Sequence, residues 1–302
     1  MEADIANIFI AGGVSLDTVI QLGHFPEPRQ ATLFARESYG AVETTSSGKA
    51  LNLAALGHRV TLAAQFGPDR LSDLLRGRFR DAGVALLELP DTVTEQHTNL
   101  MNAAGERISI FAVQRTFSPP VNPGDFEGAV RRDDLVVLDI INWSRALIPL
   151  VRSLGKPVWC DLHDYDGVNS YHRDYLEAAD VVFGSAEALP DPEGFARDLA
   201  ARGKKLVVLT RGAEGAFAVT AAGERFDAPA VTAFGLTDTN GAGDAFFSGF
   251  LHGFRQGRGV QRCLELGALT AALCVSSRDL VHPEVSAERL ATLHTQFFGK
   301  SP

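Results

Sequence analysis

The chain has few cysteines, no long apolar run and no dense cluster of basic residues. Its three cysteines, Cys160, Cys263 and Cys274, are widely spaced and odd in number, which favours reduced core thiols over a disulfide framework or a zinc site. No segment approaches the roughly 20 consecutive apolar residues of a membrane span. The first residues lack the basic and apolar regions of a signal peptide. We therefore expect a cytoplasmic protein that does not bind membranes.

The excess of acidic residues argues against a nucleic-acid-binding surface. The 302 residues include 37 Asp and Glu against 28 Lys and Arg, a formal net charge of −9. The sequence also lacks the Gly-x-x-x-x-Gly-Lys-Ser/Thr pattern, which disfavours a P-loop enzyme. A content of 45% hydrophobic and 22% charged residues is typical of a globular protein with a real core. We expect a small-molecule ligand and no nucleic-acid partner.

Short apolar runs alternate with helical patterns along most of the chain. The predicted buried strands are 7–11, 60–64, 135–140, 157–160, 181–183 and 206–209, and a further strand is predicted over 228–236. Segments 48–56, 69–82, 193–202 and 245–254 have helical spacing. This alternation predicts βαβ units, and hence a parallel sheet covered on both faces. No linker divides the chain, so we predict a single α/β domain over residues 1–302.

Two regions interrupt that alternation. Residues 30–39 and 95–113 have the pattern of partly exposed strands with no helix between them. Within the second region, 103–106 predicts a hairpin turn joining 99–102 to 107–110. Antiparallel strands inserted into an α/β chain often form a lid or an interface, which is what we expect of these strands.

The most informative segment is Asp238–Phe246, Asp-Thr-Asn-Gly-Ala-Gly-Asp-Ala-Phe. Gly241 and Gly243 remove side chains from a turn, so that backbone N–H groups converge on one point. That point is also the positive end of the following helix, which favours an anion such as a phosphate. Asp244 adds a carboxylate that an anion site alone would not need. The combination indicates phosphoryl transfer, with Asp244 accepting the proton of the attacking hydroxyl; the alternative is a helix cap.

The nine-residue segment resembles the C-terminal signature of the ribokinase-like (PfkB) carbohydrate kinases. The resemblance implies the fold of that family, an α/β sandwich with a small β-sheet lid that frequently mediates dimer contacts. It also implies that Asp244 is the catalytic base and that the amides of Gly241, Ala242 and Gly243 form the anion hole. Asp238, in the same signature, is expected on the nucleotide side.

Two segments resemble the family's substrate-binding elements. Asp17 follows the first strand, where the family places an aspartate that holds sugar hydroxyls, although a turn or cap aspartate is the alternative. The segment 47–57 resembles the Gly-Gly-Lys-Gly-x-Asn signature, with Ser47 and Ala50 in place of glycines. The resemblance implies that Gly48, Lys49 and Asn52 contact the substrate; for Asn52, a bond to its own backbone is an equal alternative.

A third segment, 206–216, predicts a strand, a polar turn and a second strand, and it resembles the family's Thr-x-Gly-x-x-Gly element. By that resemblance Thr210, Gly212 and Gly215 bind the nucleotide; a hairpin without a ligand is the alternative. The family's Asn-x-x-Glu element is represented by Glu187 alone, as Gly184 replaces the asparagine. Glu187 is therefore a weak magnesium candidate, while ATP chemistry still requires Mg²⁺. Asp279 and Leu280 replace the family's Gly-Ala, which argues against a monovalent-cation site.

These features together predict an ATP- and Mg²⁺-dependent kinase that phosphorylates a hydroxymethyl group of a neutral sugar. Arg107 and Asn102 lie on the predicted lid, where Arg107 is either a substrate ligand or an ordinary exposed arginine. Because cations able to hold a phosphorylated substrate are few, a neutral ligand is favoured. The alternatives are a nucleoside kinase of the adenosine-kinase type and a non-catalytic sugar or nucleotide sensor. A homodimer formed through the lid is possible in each case.

Overall fold

The computed structural model describes residues 5–103 and 106–299, which form two β-sheets with helices around the larger one. The described strands are β1 (Asn7–Ala11), β2 (Ser15–Gln21), β3 (Glu37–Glu43), β4 (Arg59–Phe66), β5 (Ala85–Pro90), β6 (Gln96–Met101), β7 (Arg107–Val113), β8 (Leu135–Leu138), β9 (Val158–Asp161), β10 (Val181–Ser185), β11 (Leu206–Thr210), β12 (Ala216–Thr220) and β13 (Arg225–Ala228). The described α-helices are α1 (Thr45–Ala55), α2 (Arg70–Asp81), α3 (Gly124–Arg132), α4 (Ile148–Ser153), α5 (Arg173–Ala178), α6 (Pro192–Ala201), α7 (Ala242–Arg255), α8 (Val260–Val275) and α9 (Ala287–Phe298).

Within the described residues the larger sheet has nine strands in the order β13-β12-β11-β10-β9-β8-β1-β4-β5. The pairs from β11 to β5 are parallel, whereas β12 and β13 form an antiparallel edge. Successive residues of β1 serve opposite faces, since Ile8 and Ile10 join one apolar cluster and Phe9 and Ala11 join another. A sheet buried on both faces explains the continuous apolar runs. The predicted α/β class and parallel sheet are confirmed.

Helix α7 is held against the larger sheet by aromatic packing. The Phe247 and Phe183 ring centroids are 4.6 Å apart, and Phe250 lies 5.3 Å from Phe183. Trp159 of β9 stacks on Phe183 at 5.6 Å. These rings are almost fully buried and dominate the apolar area on this face. They fix the first turn of α7 relative to the ends of strands β8 and β9.

The smaller sheet forms the lid, with strand order β3-β2-β6-β7 among the described residues. Strand β2 is antiparallel to β3 and parallel to β6, and β6 is antiparallel to β7. Two of these strands fall inside the predicted region 95–113, so that prediction is confirmed. The turn expected at 103–106 includes residues 104 and 105, which lie outside the described residues. Its flanks are joined by a bond from the Asn102 N–H to the Glu106 carbonyl at 3.1 Å.

Three strand predictions were wrong in detail. Residues 30–36 are not a strand, because this stretch is exposed throughout and has no face for a sheet to bury; β3 begins at Glu37. The strand predicted over 228–236 ends at Ala228, where Pro229 has no N–H to continue the ladder. The strand predicted over 135–140 ends at Leu138. Asp17, for which a turn or cap was the alternative, lies within strand β2.

Cys160, Cys263 and Cys274, all within the described residues, are buried and free, as predicted. Burial raises the pKa of the Cys263 and Cys274 thiols to about 12, so both stay protonated near neutral pH. Among the described helices, none is both long enough and apolar enough to cross a bilayer.

Candidate active site

Two cavities meet at the turn that begins α7. The first has a volume of about 380 Å³ and lies between the lid and the ends of β1, β8 and β9. The second, of about 660 Å³, lies between the β11–β12 turn and α8. Asp244 lines the first cavity, whereas Ala242 and Gly243 line the second. A group that crosses from one cavity to the other therefore passes the residues of this turn.

The carboxylate of Asp244 is buried and paired with a lysine from another helix. Its Oδ1 lies 2.8 Å from the Nζ of Lys49 on α1. Burial raises the pKa of Asp244 to about 6, against the opposing effects of the Lys49 and His163 charges. A carboxylate with a pKa near the working pH can accept a proton and release it again.

The turn itself presents backbone amides. Gly241 is the N-cap of α7 with φ of 73°, and the first bond of the helical ladder runs from the Ala245 N–H to the Gly241 carbonyl at 2.9 Å. The amides of Gly243 and Asp244 precede that ladder and point along the helix axis, where the helix dipole is positive. A methyl group on Gly243 would meet no atom within 4 Å. The turn thus leaves open space for an anion at the helix N-terminus.

On the lid side of the first cavity, Asp17 of β2 is held by two residues of β6. Its Oδ1 accepts from the His97 N–H at 3.1 Å, and its Oδ2 is 2.9 Å from the His97 Nδ1 and 3.1 Å from the Asn99 amide nitrogen. The His97 Nε2 is 3.0 Å from Glu95. Burial lowers the pKa of His97, but the hydrogen bonds that its ring donates to Asp17 and Glu95 outweigh burial and raise the pKa to about 9. His97 is therefore a cation between two carboxylates near neutral pH.

Arg115 extends this network from the loop after β7. Its Nη2 is 3.0 Å from Glu95, and it lines the cavity beside Gly13. A methyl group on Gly13 would lie 2.1 Å from the Arg115 Nη1, so the glycine is required for this approach. The Nη1 is buried and has no hydrogen-bond partner within the described residues.

A second set of contacts joins the lid to the α7 turn. The Nη1 of Arg107 on β7 donates to the side-chain oxygen of Asn240, whose amide nitrogen donates to Glu43 of β3. Burial raises the pKa of Glu43 to about 7, against the Asn240 hydrogen bond. All three residues line the first cavity. The two edge strands of the lid, β3 and β7, are thus both hydrogen-bonded to Asn240, the residue before Gly241.

Comparison with known proteins agrees with this geometry. The family model described as pfkB family carbohydrate kinase matches residues 141–286. An acarbose 7(IV)-phosphotransferase from an Actinoplanes strain is 32% identical over 273 residues, which cover 88% of this chain and 91% of that protein. The solved structure of a microbiome-derived acarbose kinase, Mak1, superposes with a TM-score of 0.86 at 28% identity, covering 96% and 99% of the two chains. The chain belongs to the PfkB carbohydrate kinase family.

A further relative is a cytidine kinase from Thermococcus kodakarensis, 26% identical over 275 residues and covering 86% of this chain and 93% of that protein. The PfkB family therefore includes relatives of this chain whose named substrates differ widely. The fold is ribokinase-like, as predicted.

A PfkB kinase needs a phosphate donor, and the residues of the second cavity, called the donor cavity below, could hold one. Thr210, Gly212 and Gly215 line it, with Gly212 and Gly215 at φ of 53° and 92°. A methyl group on Gly212 would meet only Glu187, at 3.5 Å, so the turn leaves room for a ligand. The opposite wall of this cavity is an apolar surface on which a nucleobase could lie. It is formed by Val231, Phe246, Ala268, Ala271, Ala272 and Val275.

Among the described residues that line the donor cavity, Glu187 is the acidic one and could contact a metal ion. No cluster of three or more His, Cys, Asp or Glu that could hold a metal occurs within residues 5–103 and 106–299. Mg²⁺ at kinase sites is commonly bound through one or two carboxylates together with substrate phosphates. Glu187 is exposed and lines the donor cavity, which matches that arrangement.

Lys49 and Asn52, which were predicted to contact the substrate, do not line the first cavity. The Lys49 ammonium is fully buried and lies 3.2 Å from Asp139, 3.4 Å from Asp161 and 2.8 Å from Asp244. Asn52 is also fully buried, and its amide nitrogen donates to the carbonyls of Gly48 and Leu280. Neither side chain lines the cavity, because helix α1 points them inward against α7 rather than towards the lid. Direct contact of either side chain with a substrate stays a prediction that this geometry does not favour.

Gly48 and Asp238 also make contacts within the protein that support the local structure. A methyl group on Gly48 would lie 2.9 Å from the Asp244 Cβ, so this glycine lets α1 approach the base. The side chain of Asp238 accepts from the Asn240 N–H at 2.9 Å, a local turn bond, and does not line the donor cavity. By contrast Asp17, Asp244, Thr210, Gly212 and Gly215 lie where a substrate or a donor would reach them.

Several cavity residues were not identified from the sequence. His97, Glu95 and Arg115 lie on or beside lid strands and carry no motif. Asp139, which lines the first cavity, directly follows β8. Asp161 does not line the cavity but contacts Lys49, and it is the last residue of β9. A carboxylate at the end of a buried parallel strand was a signal available in the sequence, because such ends meet at one edge of the sheet.

Proposed function

We propose that this PfkB protein transfers the γ-phosphoryl group of ATP to a hydroxymethyl group of a neutral sugar-like substrate. The observation that carries the proposal is the division of the α7 turn between two cavities, with Asp244 in one and Ala242 and Gly243 in the other. A substrate hydroxyl in the first cavity would lie beside Asp244. A phosphate in the second cavity would lie beside Gly243, the residue next to Asp244, so the two reacting groups would be neighbours. Phosphoryl transfer depends on positioning and charge stabilisation of this kind.

Each residue of the turn has a proposed role. Asp244 accepts the proton from the attacking hydroxyl, and its pKa of about 6 leaves it mostly ionised at neutral pH. The amides of Gly241, Ala242 and Gly243 stabilise the negative charge on the phosphoryl group, once the Ala242 N–H leaves the Thr239 carbonyl to which it donates at 3.3 Å. Thr210, Gly212 and Gly215 would hold the nucleotide, and Glu187 would be the residue available to its Mg²⁺. ATP supplies the phosphoryl group and Mg²⁺ neutralises part of its charge.

The electrostatics of the first cavity support a neutral substrate. Three of the cationic side chains that line this cavity already have partners, since His97 bridges Asp17 and Glu95, Arg115 pairs with Glu95 through its Nη2, and Arg107 bonds to Asn240. A phosphorylated substrate would need cations free for its dianion. In the described part of the chain the lining carboxylates are five, Asp17, Glu43, Glu95, Asp139 and Asp244. Carboxylates are well suited to accept hydrogen bonds from several hydroxyl groups.

A nucleoside is the second candidate substrate, and one contact favours it. The Phe111 and His97 rings lie 4.1 Å apart at the lid, and Ile140, Ile141 and Leu280 also line the cavity. An aromatic lid over an apolar wall suits a flat base. Against a non-catalytic sensor stands Asp244, since a protein that only binds has no use for a buried base beside an anion turn.

A binding experiment separates the substrate classes. Thermal stability would be measured with a panel of neutral sugars, oligosaccharides and nucleosides, each with and without Mg·ATP, since a ligand that binds only the folded state raises its stability. We expect stabilisation by Mg·ATP and by one class of neutral compound, followed by turnover of that compound. Stabilisation without turnover of any bound compound would favour the sensor.

A homodimer through the lid is part of the proposal. Ile108 and Ile110 of β7 are each more than two-fifths exposed, and Phe34 is 90% exposed. Apolar side chains on an open lid would be covered by a second copy of the same surface. Sedimentation of the wild type and of an Ile108→Lys/Ile110→Lys variant tests this, with a dimer expected only for the wild type. The free, buried cysteines favour the cytoplasm as the compartment.

A further inference from the structure

Lys49 is a fully buried cation surrounded by three aspartates from different elements. Its Nζ is 2.8 Å from Asp244 on α7, 3.2 Å from Asp139 after β8 and 3.4 Å from Asp161 at the end of β9. It also lies 5.3 Å from the centroid of the Phe247 ring. A lysine is rarely buried to this extent unless it is paired. The nearby carboxylates raise the pKa of Lys49 well above its ordinary value, against burial, so it remains charged.

Three facts limit what this lysine can do. Its side chain does not line the first cavity, so it does not contact a substrate bound there. Its ammonium is too enclosed to reach the donor cavity, which it does not line either. Its shortest ion pair is to Asp244, the side chain that faces the acceptor hydroxyl. Its influence on chemistry must therefore pass through that carboxylate.

We propose that Lys49 is a positioning residue that orients Asp244 and sets the pH at which it becomes a base. A single cation shared among three aspartates stabilises the ionised form of Asp244 less than an undivided pair would. Removing Lys49 makes Asp244 harder to ionise, whereas removing one competing carboxylate makes it easier. The inference rests on the proposed role of Asp244 as the base.

The surroundings of Asp244 define the variants to be made. The charges of Lys49 on α1 and His163 in the loop after β9 lower the pKa of Asp244, and the charge of Asp161 on β9 raises it. Asp139 after β8 shares the Lys49 ammonium, and Cys274 on α8 is close enough that Asp244 raises the pKa of its thiol. Asp139 lines the cavity and is left unchanged. Asp161 does not line it, and its negative charge raises the pKa of Asp244.

The test compares Lys49→Met and Asp161→Asn with the wild type. The pH dependence of kcat/KM should show an acidic limb that moves up by at least about one pH unit in Lys49→Met, because the compensating charge is gone. In Asp161→Asn the limb should move down. At pH 7 we expect kcat of Lys49→Met to fall at least about tenfold while the KM for the acceptor stays within about twofold. An acidic limb that keeps its position in both variants, or moves the same way in both, contradicts the proposal. A KM that rises with unchanged kcat would restore Lys49 as a direct substrate contact.

Two further measurements keep the outcome decisive. If Lys49→Met does not fold, since three buried carboxylates lose their cation, the double variant Lys49→Met/Asp161→Asn is compared with Asp161→Asn. The acidic limb of the double variant should then lie at the higher pH, and equal positions would contradict the proposal. The ionisation of Asp244 is also followed directly by its carboxyl ¹³C resonance, assigned by its loss in Asp244→Asn. If no substrate is turned over, the proposed function fails, and the ¹³C titrations of the three proteins still decide whether Lys49 sets the ionisation of Asp244.

Discussion

Gly48 of α1 lies directly against Asp244 of α7. A methyl group added to Gly48 would come within 2.9 Å of the Asp244 Cβ and 3.0 Å of its Oδ2. Atoms that close cannot coexist without a shift of backbone or side chain. The two helices make contact along this line, and the buried Lys49 follows Gly48 directly. The position of Asp244, the proposed base, is therefore possible only because residue 48 of α1 is a glycine.

We expect Gly48→Ala to displace Asp244 and to lower kcat on the order of 10²-fold, since a displacement of about 1 Å at the reacting groups has an effect of that size. The matched control is Gly77→Ala in α2, where an added methyl group meets no atom within 4 Å. The control should keep full activity and gain about 0.5–1 kcal/mol in the free energy of unfolding. Equal activity of both variants would show that Gly48 does not set the position of Asp244.

Asp244→Asn keeps the shape of the side chain and removes only its basicity. Turnover should fall roughly 10²–10⁴-fold, the usual contribution of a general base. The affinity for Mg·ATP, measured by calorimetry, should change little, because the donor cavity lies on the other side of the turn. Asp279→Asn, the same change at an exposed aspartate in a nearby loop, serves as the control. Wild-type kcat in Asp244→Asn would exclude this residue as the base.

Asp17→Ala should weaken acceptor binding and leave ATP binding unchanged. A charged hydrogen bond is worth about 1.5–3 kcal/mol, so the acceptor Kd should rise about 10- to 150-fold. Thr18→Ala, one residue along on the exposed face of β2, is the control. An unchanged acceptor Kd in Asp17→Ala would mean that the carboxylate serves only to anchor His97 and Asn99.

A buried histidine pair far from the turn predicts a loss of stability in acid. The Ala6 N–H donates to the His58 Nδ1 at 3.2 Å, and the His58 Nε2 lies 3.0 Å from the His252 Nδ1. Both rings must therefore be neutral, and burial lowers the pKa of each to about 4. A pKa lower in the folded than in the unfolded chain contributes stability that is present above pH 6.5 and lost as the pH falls towards 4.

The size of this effect follows from about 1.4 kcal/mol per pKa unit. We expect urea unfolding to show several kcal/mol less stability near pH 4 than at pH 7.5. The double variant His58→Gln/His252→Gln should be less stable at pH 7.5 and should lose less on acidification, while the exposed His24→Gln should match the wild type. An equally steep loss in the double variant would assign the acid sensitivity to other groups.

Much of the fold could be predicted because the strands of the larger sheet are buried on both faces. A run such as Leu135–Leu138 has an apolar signal that does not depend on its partners. The lid strands gave a weaker signal, since β7 is mostly exposed and β3 has one buried residue, Glu43. Their pairing depends on neighbours that are distant in sequence.

The site was predictable where a local motif carries the chemistry. The turn around Gly241 and Asp244 is encoded by adjacent residues, and helix α7 begins there. The catalytic role of this turn stays a prediction. The burial of Lys49 was not, because it results from α1 packing on α7 and from aspartates about 90 and more residues away. The contact between His97 and Asp17 likewise depends on the pairing of β6 with β2, which no local sequence pattern predicts.

The last prediction concerns the charge of the acceptor. Because each cation lining the first cavity in the described residues except His163 is bonded to Asp17, Glu95 or Asn240, a phosphorylated sugar would have to break an existing pair to be held. We expect kcat/KM for neutral acceptors to exceed that for fructose 1-phosphate and fructose 6-phosphate by at least about 10²-fold. Ribose, fructose, adenosine, cytidine and acarbose form the neutral set, assayed at the same Mg·ATP concentration. An Arg107→Gln variant is assayed alongside, and it should leave the ratio between neutral and phosphorylated acceptors unchanged. A higher kcat/KM for either phosphosugar than for every neutral compound, abolished in Arg107→Gln, would instead make Arg107 a phosphate ligand and the protein a phosphosugar kinase.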